Sequence, residues 1–330
     1  MTQGTPFDET LLDRYSDGEL IEHINHSPSL VTTRTEAVKE LSPNLLAKPI
    51  ERGVDPLDES YAIACARSVG VNVPVVRRIV PREEDTGGHF LIMNRIHGKT
   101  LEQLWPHIGL WGTIRIAWQL RQFLRAMATA TSKTTGGLHS GTTRSIYLEA
   151  IYGPTPHASP VMFSNYLNWW LTECRPYAFQ PRPDLTFPPA EHVLVHQDLA
   201  PRNMILDNIG NLWIIDWNYS GYYPVFMEYM GVDASTGSDW FLAPTWMSRW
   251  GRMRWALLRF IACGFASKHW RAIRGINAVH QRTLRFRIDK APFSVCKQSS
   301  TSILLWLAYL FLYTSSRRIV CAHRSSSPFV

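Results

Sequence analysis

The 330-residue sequence is poor in cysteine, and its cysteines are not arranged for a structural role. The five cysteines are odd in number and scattered, and no two of them have the CxxC spacing of a zinc site or a redox motif. We therefore expect no disulfide framework, which favours a reducing, cytoplasmic location. The first twenty residues are polar and acidic and lack the apolar stretch of a secretory signal, which favours the same location.

Long apolar runs are also missing. The most apolar stretch, residues 303–313, contains 11 residues, whereas a helix needs about 20 apolar residues to cross a bilayer. We therefore expect no transmembrane span.

Acidic residues are almost absent from the last quarter of the chain. From Arg249 onward there are 15 Lys and Arg but a single acid, Asp289, whereas the first 248 residues hold 26 acids and 19 bases. Such a basic tail can contact nucleic acid or anionic lipid, or it can be a solvated helical surface. Neither a zinc finger nor an aromatic-interleaved groove motif accompanies it, so we favour the solvated surface and expect no specific nucleic-acid partner.

Strand-like and helix-like segments alternate in the first third of the chain, and helical patterns predominate later. The strand-like runs are residues 29–34, 45–50, 72–80 and 89–96. The helix-like runs are residues 58–69, 113–130, 163–174 and 252–273. The pattern predicts an α+β chain with a small mixed N-lobe at 1–97 and a larger, mostly helical C-lobe at 98–280. We expect a basic tail of uncertain structure at 281–330.

Residues 195–217 contain, within a short stretch, several side chains of the types that transfer protons and bind metal ions. An apolar, β-branched strand delivers Asp198, Asn203 follows five residues later, and a second short strand ends at Asp216. Residues 208–211 are typical of a hairpin turn between two strands. We therefore expect the hairpin to return Asp216 towards Asn203 and Asp198.

This set of side chains suits phosphoryl transfer from ATP. Mg²⁺ prefers hard oxygen ligands, which Asn203 and Asp216 would supply. A separate carboxylate, Asp198, would act as the base that takes the acceptor's proton. We expect His196 to support the loop by hydrogen bonding and not to react. The alternative, a hairpin with polar turns and no chemistry, explains the spacing less well.

The sequences HQDLAPRN, IIDW and PVFME resemble the aminoglycoside phosphotransferase and choline kinase family. The resemblance runs from about Lys48 to Val279. It implies a bilobal protein-kinase-like fold, with ATP and Mg²⁺ used to phosphorylate a hydroxyl group of a small molecule. It also implies that HQDLAPRN is the catalytic loop and that Glu228 braces it.

The N-lobe carries the rest of the resemblance. LLAKPI and DESYAIA are similar to the family's lysine strand and glutamate helix. This similarity implies that Lys48 contacts the α- and β-phosphates and that Glu59 orients Lys48, with Asp58 as the alternative. LIMNRIHGKTL resembles the hinge, so backbone groups from Asn94 to Ile96 would bind adenine. From the residues alone, Lys48 could also be a surface lysine and Glu59 could simply favour the helix dipole, but we favour the functional roles.

HQDLAPRN also resembles the catalytic loop of tyrosine kinases. A protein kinase continues after its metal-binding Asp with Phe-Gly and a long activation segment. Here Trp217 follows Asp216, and Glu228 comes only 12 residues after Asp216. Because little room remains for a peptide-binding platform, we predict a small-molecule acceptor.

Aromatic and acidic residues follow the catalytic stretch. Asp233 and Asp239, together with aromatic rings, could hold a cationic acceptor. The alternative, which we favour, is that the aromatic residues belong to the core of the C-lobe. They are Trp217, Tyr219, Tyr222, Tyr223 and Trp240.

Glycine is missing from Ser27 to Lys48, where the resemblance places the loop that covers the nucleotide. This departure keeps a second hypothesis open, a pseudokinase or scaffold that has the fold and transfers no phosphate. A third hypothesis is a nucleic-acid or membrane-surface binder that uses the basic tail.

Overall fold

The computed structural model describes seven stretches of the chain. They are residues 7–30, 38–82, 87–145, 148, 153–172, 189–228 and 249–263. Several predictions lie outside these stretches: Asp233, Asp239, Trp240, residues 303–313 and the basic tail at 281–330. Within the described stretches, none of the helices combines the length and apolar character that crossing a bilayer requires.

The first part of the described chain contains a four-stranded antiparallel sheet with the strand order β1-β2-β4-β3. Its strands are β1 (Lys39–Glu40), β2 (Leu45–Ile50), β3 (Val76–Pro81) and β4 (His89–Asn94). Helix α1 (Asp17–His26) buries Leu20 and Ile24 in an apolar cluster that also contains Ala47 and Ile92 of the sheet. The strands expected at 45–50, 72–80 and 89–96 are therefore confirmed, whereas most of the strand expected at 29–34 lies outside the described stretches.

Helix α2 (Pro56–Ser68) follows β2 and lies in the segment predicted to be helical. It starts at Pro56, whose fixed φ suits the first helical position, and the Asp55 side chain caps it by accepting the Leu57 N–H at 2.9 Å. Ala62 and Ala66 of α2 are buried in the large core shared with the second half of the chain. The packing of α2 is therefore tied to both halves of the molecule.

Two small three-stranded antiparallel sheets carry the predicted catalytic stretch. One has the order β10-β7-β6 and the other the order β5-β8-β9. Their strands are β5 (Gly98–Thr100), β6 (Thr131–Ser132), β7 (His192–Val195), β8 (Met204–Asp207), β9 (Leu212–Ile214) and β10 (Gly221–Pro224). The predicted hairpin around residues 208–211 is confirmed as the β8–β9 connection.

Four helices are described in the second half. They are α3 (Leu101–Leu104), α4 (Leu110–Met127), α5 (Pro160–Thr172) and α6 (Arg249–Cys263). Ile116 and Leu120 of α4 share the main core with Trp255 and Leu258 of α6. The predicted α+β class is confirmed, whereas the mostly helical C-lobe is confirmed only in part. Six short strands are described in this half, and the last part of the helix predicted at 252–273 is outside the described stretches.

His192, at the start of β7, gives the fold a sensitivity to acid. Its side chain is fully buried, and its Nδ1 lies 3.0 Å from Thr135 Oγ1. Burial lowers the pKa of His192 from 6.5 to about 4. The unfolded chain therefore binds a proton on this group below pH 6.5, while the folded chain does so only near pH 4.

We expect this difference to remove up to about 3 kcal/mol of folding free energy as the pH falls from 6.5 to 4. Urea unfolding at pH 7 and pH 5 measures the effect. The free energy of unfolding should fall less between pH 7 and pH 5 in His192→Asn than in the wild-type protein. It should fall as in the wild-type protein in His107→Asn, whose side chain is exposed. An unchanged pH dependence in His192→Asn would contradict this explanation.

Candidate active site

Strand β7 leads directly into the predicted catalytic loop. Asp198 is buried, and residues Pro201–Asn203 form a single turn of 3-10 helix, which Pro201 can begin because it needs no N–H partner there. The Asn203 side-chain amide donates to the Asp198 backbone oxygen and to Asp198 Oδ2, each at 2.9 Å. The amide nitrogen thus faces Asp198, and none of the described residues donates to the amide oxygen Oδ1.

Arg202 binds the predicted base, a contact that our sequence reasoning missed. One guanidinium nitrogen lies 2.8 Å from each carboxylate oxygen of Asp198. Little signal for it was present in the sequence, because an acid and a base four positions apart are neighbours on an α-helix, whereas this segment is a loop with one 3-10 turn. The pair links the carboxylate and the 3-10 turn into one local unit.

His196 supports the loop through both ring nitrogens. Its Nδ1 accepts the Asp198 backbone N–H at 3.2 Å, so its Nε2 carries the proton and donates to the Ile215 carbonyl at 3.0 Å. The ring is fully buried, it lies edge-on to Trp217, and burial lowers the pKa of His196. A neutral imidazole that forms a hydrogen bond through each nitrogen thus connects the predicted catalytic loop to the end of the β8–β9 hairpin.

Glu228 lies behind the same loop. Its buried carboxylate accepts the backbone N–H groups of His196 and Gln197, and burial raises the pKa of Glu228 to about 8. Gln197 has a left-handed backbone with φ of 67°, which is uncommon for a residue with a side chain. The contacts from Glu228 hold the backbone at the point where it takes this conformation.

Lys48 brings distant parts of the chain together. Its Nζ lies 2.6 Å from Glu59 Oε1 on α2 and 2.7 Å from Asp216 Oδ1 after β9. Lys48 and Asp216 are separated by 168 positions in the sequence. The structure therefore brings together three of the predicted site residues, one each from β2, from α2 and from the end of the hairpin.

The three charges have unequal surroundings. Burial opposes the charge of Lys48, but the Glu59 and Asp216 carboxylates outweigh it and raise the pKa of Lys48 above its usual value. Burial raises the pKa of Glu59, whose side chain is 3% exposed, and the Lys48 charge lowers the pKa of Asp216, whose side chain is 39% exposed. Lys48 is therefore a firmly protonated cation beside an accessible carboxylate.

Asp216 has a left-handed backbone with φ of 66°. Strained conformations of this kind are often found at functional sites, and Asp tolerates the left-handed region better than most residues. The preceding residue, Ile215, donates its N–H to the Asn203 carbonyl at 3.0 Å. The end of the hairpin is thus joined to the catalytic loop.

Asp58, the alternative partner for Lys48, lies elsewhere. Its carboxylate accepts the backbone N–H groups of His139 and Ser140, each at 2.8 Å, and it also accepts the Ser140 hydroxyl. Glu59 is the α2 carboxylate that meets Lys48, and Asp58 holds a loop of the second half.

The predicted hinge follows β4. The Asn94 N–H donates to the Val75 carbonyl at 2.9 Å, and the Arg95 N–H donates to the Asn44 carbonyl at 2.8 Å. The Ile96 N–H has no acceptor within the described part of the chain. Of these three donors, the one on Ile96 is the only one that the described residues leave without an acceptor.

The aromatic residues near the site are mainly structural. Trp217 and Tyr223 are fully buried, as the core interpretation predicts. The Arg144 guanidinium lies 5.4 Å from the centre of the Tyr219 ring, and Tyr222 Oη lies 3.7 Å from Cys65 Sγ. Trp240, Asp233 and Asp239 lie outside the described residues.

Comparison with solved structures gives matches of low sequence identity. Aminoglycoside phosphotransferase APH(4)-Ia is 16% identical, with a TM-score of 0.43, over 84% of this chain and 99% of that chain. The GDP complex of wild-type aminoglycoside 2'-phosphotransferase-IIIa is 15% identical, with a TM-score of 0.45, over 81% and 88%. Kinase PK-1 of the Cydia pomonella granulovirus is 12% identical, with a TM-score of 0.32, over 62% and 55%.

Comparison with curated proteins gives no significant match. One family model, APH, matches residues 51–276 and is described as the phosphotransferase enzyme family. The match spans most of the chain and includes the predicted catalytic loop and the hairpin, although it begins just after Lys48. As predicted, the fold is α+β, and the chain belongs to the phosphotransferase enzyme family.

Proposed function

We propose that the protein transfers the γ-phosphoryl group of ATP, with Mg²⁺, to a hydroxyl group of a small molecule. Membership of a phosphotransferase family supports the reaction class. The observation that carries the proposal is the position of Lys48 Nζ between Glu59 and Asp216. A protonated amine held in this way offers positive charge to the α- and β-phosphates, while Glu59 fixes its direction.

Asn203 and Asp216 are the proposed Mg²⁺ ligands. Their donor atoms fit the ion, because Mg²⁺ prefers carboxylate and carboxamide oxygens and keeps its remaining positions for phosphate oxygens and water. The orientation of Asn203 supports this role, since its nitrogen is used by Asp198 and its oxygen is not. Bound Mg²⁺ would offset the charge of the phosphates.

Asp198 is the proposed base. Its buried carboxylate would accept the proton of the acceptor hydroxyl and orient the oxygen for in-line attack. Arg202 binds both carboxylate oxygens, so an acceptor must share Asp198 with Arg202 or displace it. Backbone groups at Asn94 and Ile96 are the proposed adenine contacts, and the Ile96 N–H is the donor that fits this role.

An acceptor screen tests the proposal. Purified protein is incubated with Mg·ATP and a panel of amino alcohols, aminoglycosides and sugars, and ADP release is measured. At least one acceptor should stimulate release in the wild-type protein and not in Asp198→Ala. Binding of Mg·ATP without any stimulation across the panel would favour the pseudokinase hypothesis, to which the glycine-free stretch before Lys48 also points.

A further inference from the structure

Asp58 connects helix α2 to a loop of the second half. We define the latch loop as residues 136–142. Both backbone donors at the tip of this loop, His139 N and Ser140 N, reach Asp58 Oδ1, and the Ser140 hydroxyl donates to Asp58 Oδ2. Asp58 is 5% exposed, and all three donors are neutral. A buried carboxylate depends on such donors, so these contacts hold the loop and the helix together.

The latch loop is anchored on the side of the catalytic stretch. Gly136 and Tyr222 exchange two backbone hydrogen bonds, at 3.1 and 2.9 Å. Tyr222 belongs to β10, which pairs with β7, and β7 leads to Asp198. A continuous hydrogen-bonded path therefore runs from α2 through the latch loop to the sheet that carries the catalytic loop.

The latch loop is fitted closely to Asp58. A Cβ atom on Gly137 would lie 2.3 Å from the Asp58 carboxylate, which is far inside van der Waals contact. Only glycine allows the backbone to approach the carboxylate this closely. His139 adds a more exposed contact, with its Nδ1 2.7 Å from Oδ2 of Asp55, the residue that caps α2.

We propose that Asp58 is a positioning residue that, through the latch loop, keeps α2 where Glu59 reaches Lys48. Asp58 and Glu59 are consecutive in one helical turn, so a shift of α2 that releases one displaces the other. The latch thus sets the direction of the Lys48 amine. The expected change in nucleotide affinity rests on the proposed function, whereas the expected change in the position of α2 and Lys48 does not.

The first test needs no nucleotide. Hydrogen–deuterium exchange of the α2 amides and acylation of Lys48 by an amine-reactive reagent are measured by mass spectrometry. Asp58→Ala should speed both by at least about tenfold, because three hydrogen bonds to a charged group are lost. Ser140→Ala, a milder change, should have a smaller effect in the same direction. Asp58→Asn should recover most of the protection, since the amide can pair with the same three partners.

Arg67→Ala is the matched control, because Arg67 is an exposed residue at the other end of α2. It should leave exchange and acylation unchanged. If folded Asp58→Ala and Ser140→Ala both match the wild-type protein in exchange and acylation, the proposal is wrong.

The second test measures the affinity for a fluorescent Mg·ATP analogue. Asp58→Ala should weaken binding about tenfold in the wild-type background and less than about twofold in Glu59→Gln, because the latch acts through Glu59. An equal loss in both backgrounds would overturn the positioning role. If wild-type protein binds no analogue while exchange and acylation respond as expected, the proposed function is wrong, whereas the positioning role of Asp58 is supported.

Discussion

Asp198→Asn should reduce acceptor-stimulated ADP release about 10²- to 10⁴-fold, the range usually supplied by a positioned general base. The substitution keeps the shape of the side chain and an oxygen that can accept the Asn203 amide. It removes the charge that takes up the acceptor's proton and that pairs with Arg202. The affinity for Mg·ATP should stay within about threefold of the wild-type value, because Asp198 is not proposed to bind the nucleotide.

Steady-state kinetics at saturating ATP, together with a binding titration, measure the two quantities separately. Asp13→Asn is the control, since Asp13 is exposed and lies far along the chain from the catalytic loop. Asp198→Asn protein with more than a tenth of the wild-type rate would contradict the assignment of Asp198 as the base.

Lys48→Met should lower both stability and nucleotide affinity. Without the Lys48 amine, the buried Glu59 carboxylate loses its cation, and breaking a buried ion pair in this way costs about 3 kcal/mol. The accessible carboxylate of Asp216 can turn to water and should add little. Mg·ATP binding should weaken by at least about tenfold, because no side chain replaces the positive charge beside the phosphates.

A second substitution separates the two effects. In Lys48→Met/Glu59→Gln the buried negative charge is gone, so most of the stability should return while nucleotide binding stays weak. The stability loss in Lys48→Met should also grow with pH. In the wild-type protein the Lys48 charge partly offsets the rise that burial causes in the pKa of Glu59. Without Lys48 the folded-state pKa of Glu59 rises further, so Lys48→Met loses more stability than the wild-type protein as the pH rises past the unfolded value of 4.5. Urea unfolding at pH 5 and 7.5 checks this, and equal losses at the two pH values would count against the buried-charge explanation.

Local sequence was sufficient to predict that the hairpin returns to the loop of Asp198 and Asn203, but it did not predict the contact of Arg202 with Asp198. Asp198, Asn203 and the hairpin that ends at Asp216 lie within 19 residues, and a short hairpin leaves few ways to arrange them. The contact between Lys48 and Asp216 joins residues 168 positions apart. No periodicity specifies such a contact, and the resemblance assigned both residues to the nucleotide site without predicting that they pair.

The choice between Asp58 and Glu59 could not be settled from the sequence. Both are in the first turn of α2, both favour the helix dipole, and both are buried. Their directions differ by about 100° around the helix axis, so the tertiary packing of α2 decides which one meets Lys48. The short strands β5 and β6 were also not predicted, because two or three residues are too few to show an alternating pattern.

Isothermal titration of the wild-type protein and Asp216→Asn with ATP, with and without Mg²⁺, tests the central claim most directly. We predict that the wild-type protein binds ATP at millimolar concentration or below, that binding requires Mg²⁺, and that Asp216→Asn loses this requirement together with most of the affinity. Wild-type protein that binds no Mg·ATP at millimolar concentration would contradict the proposed phosphotransferase function.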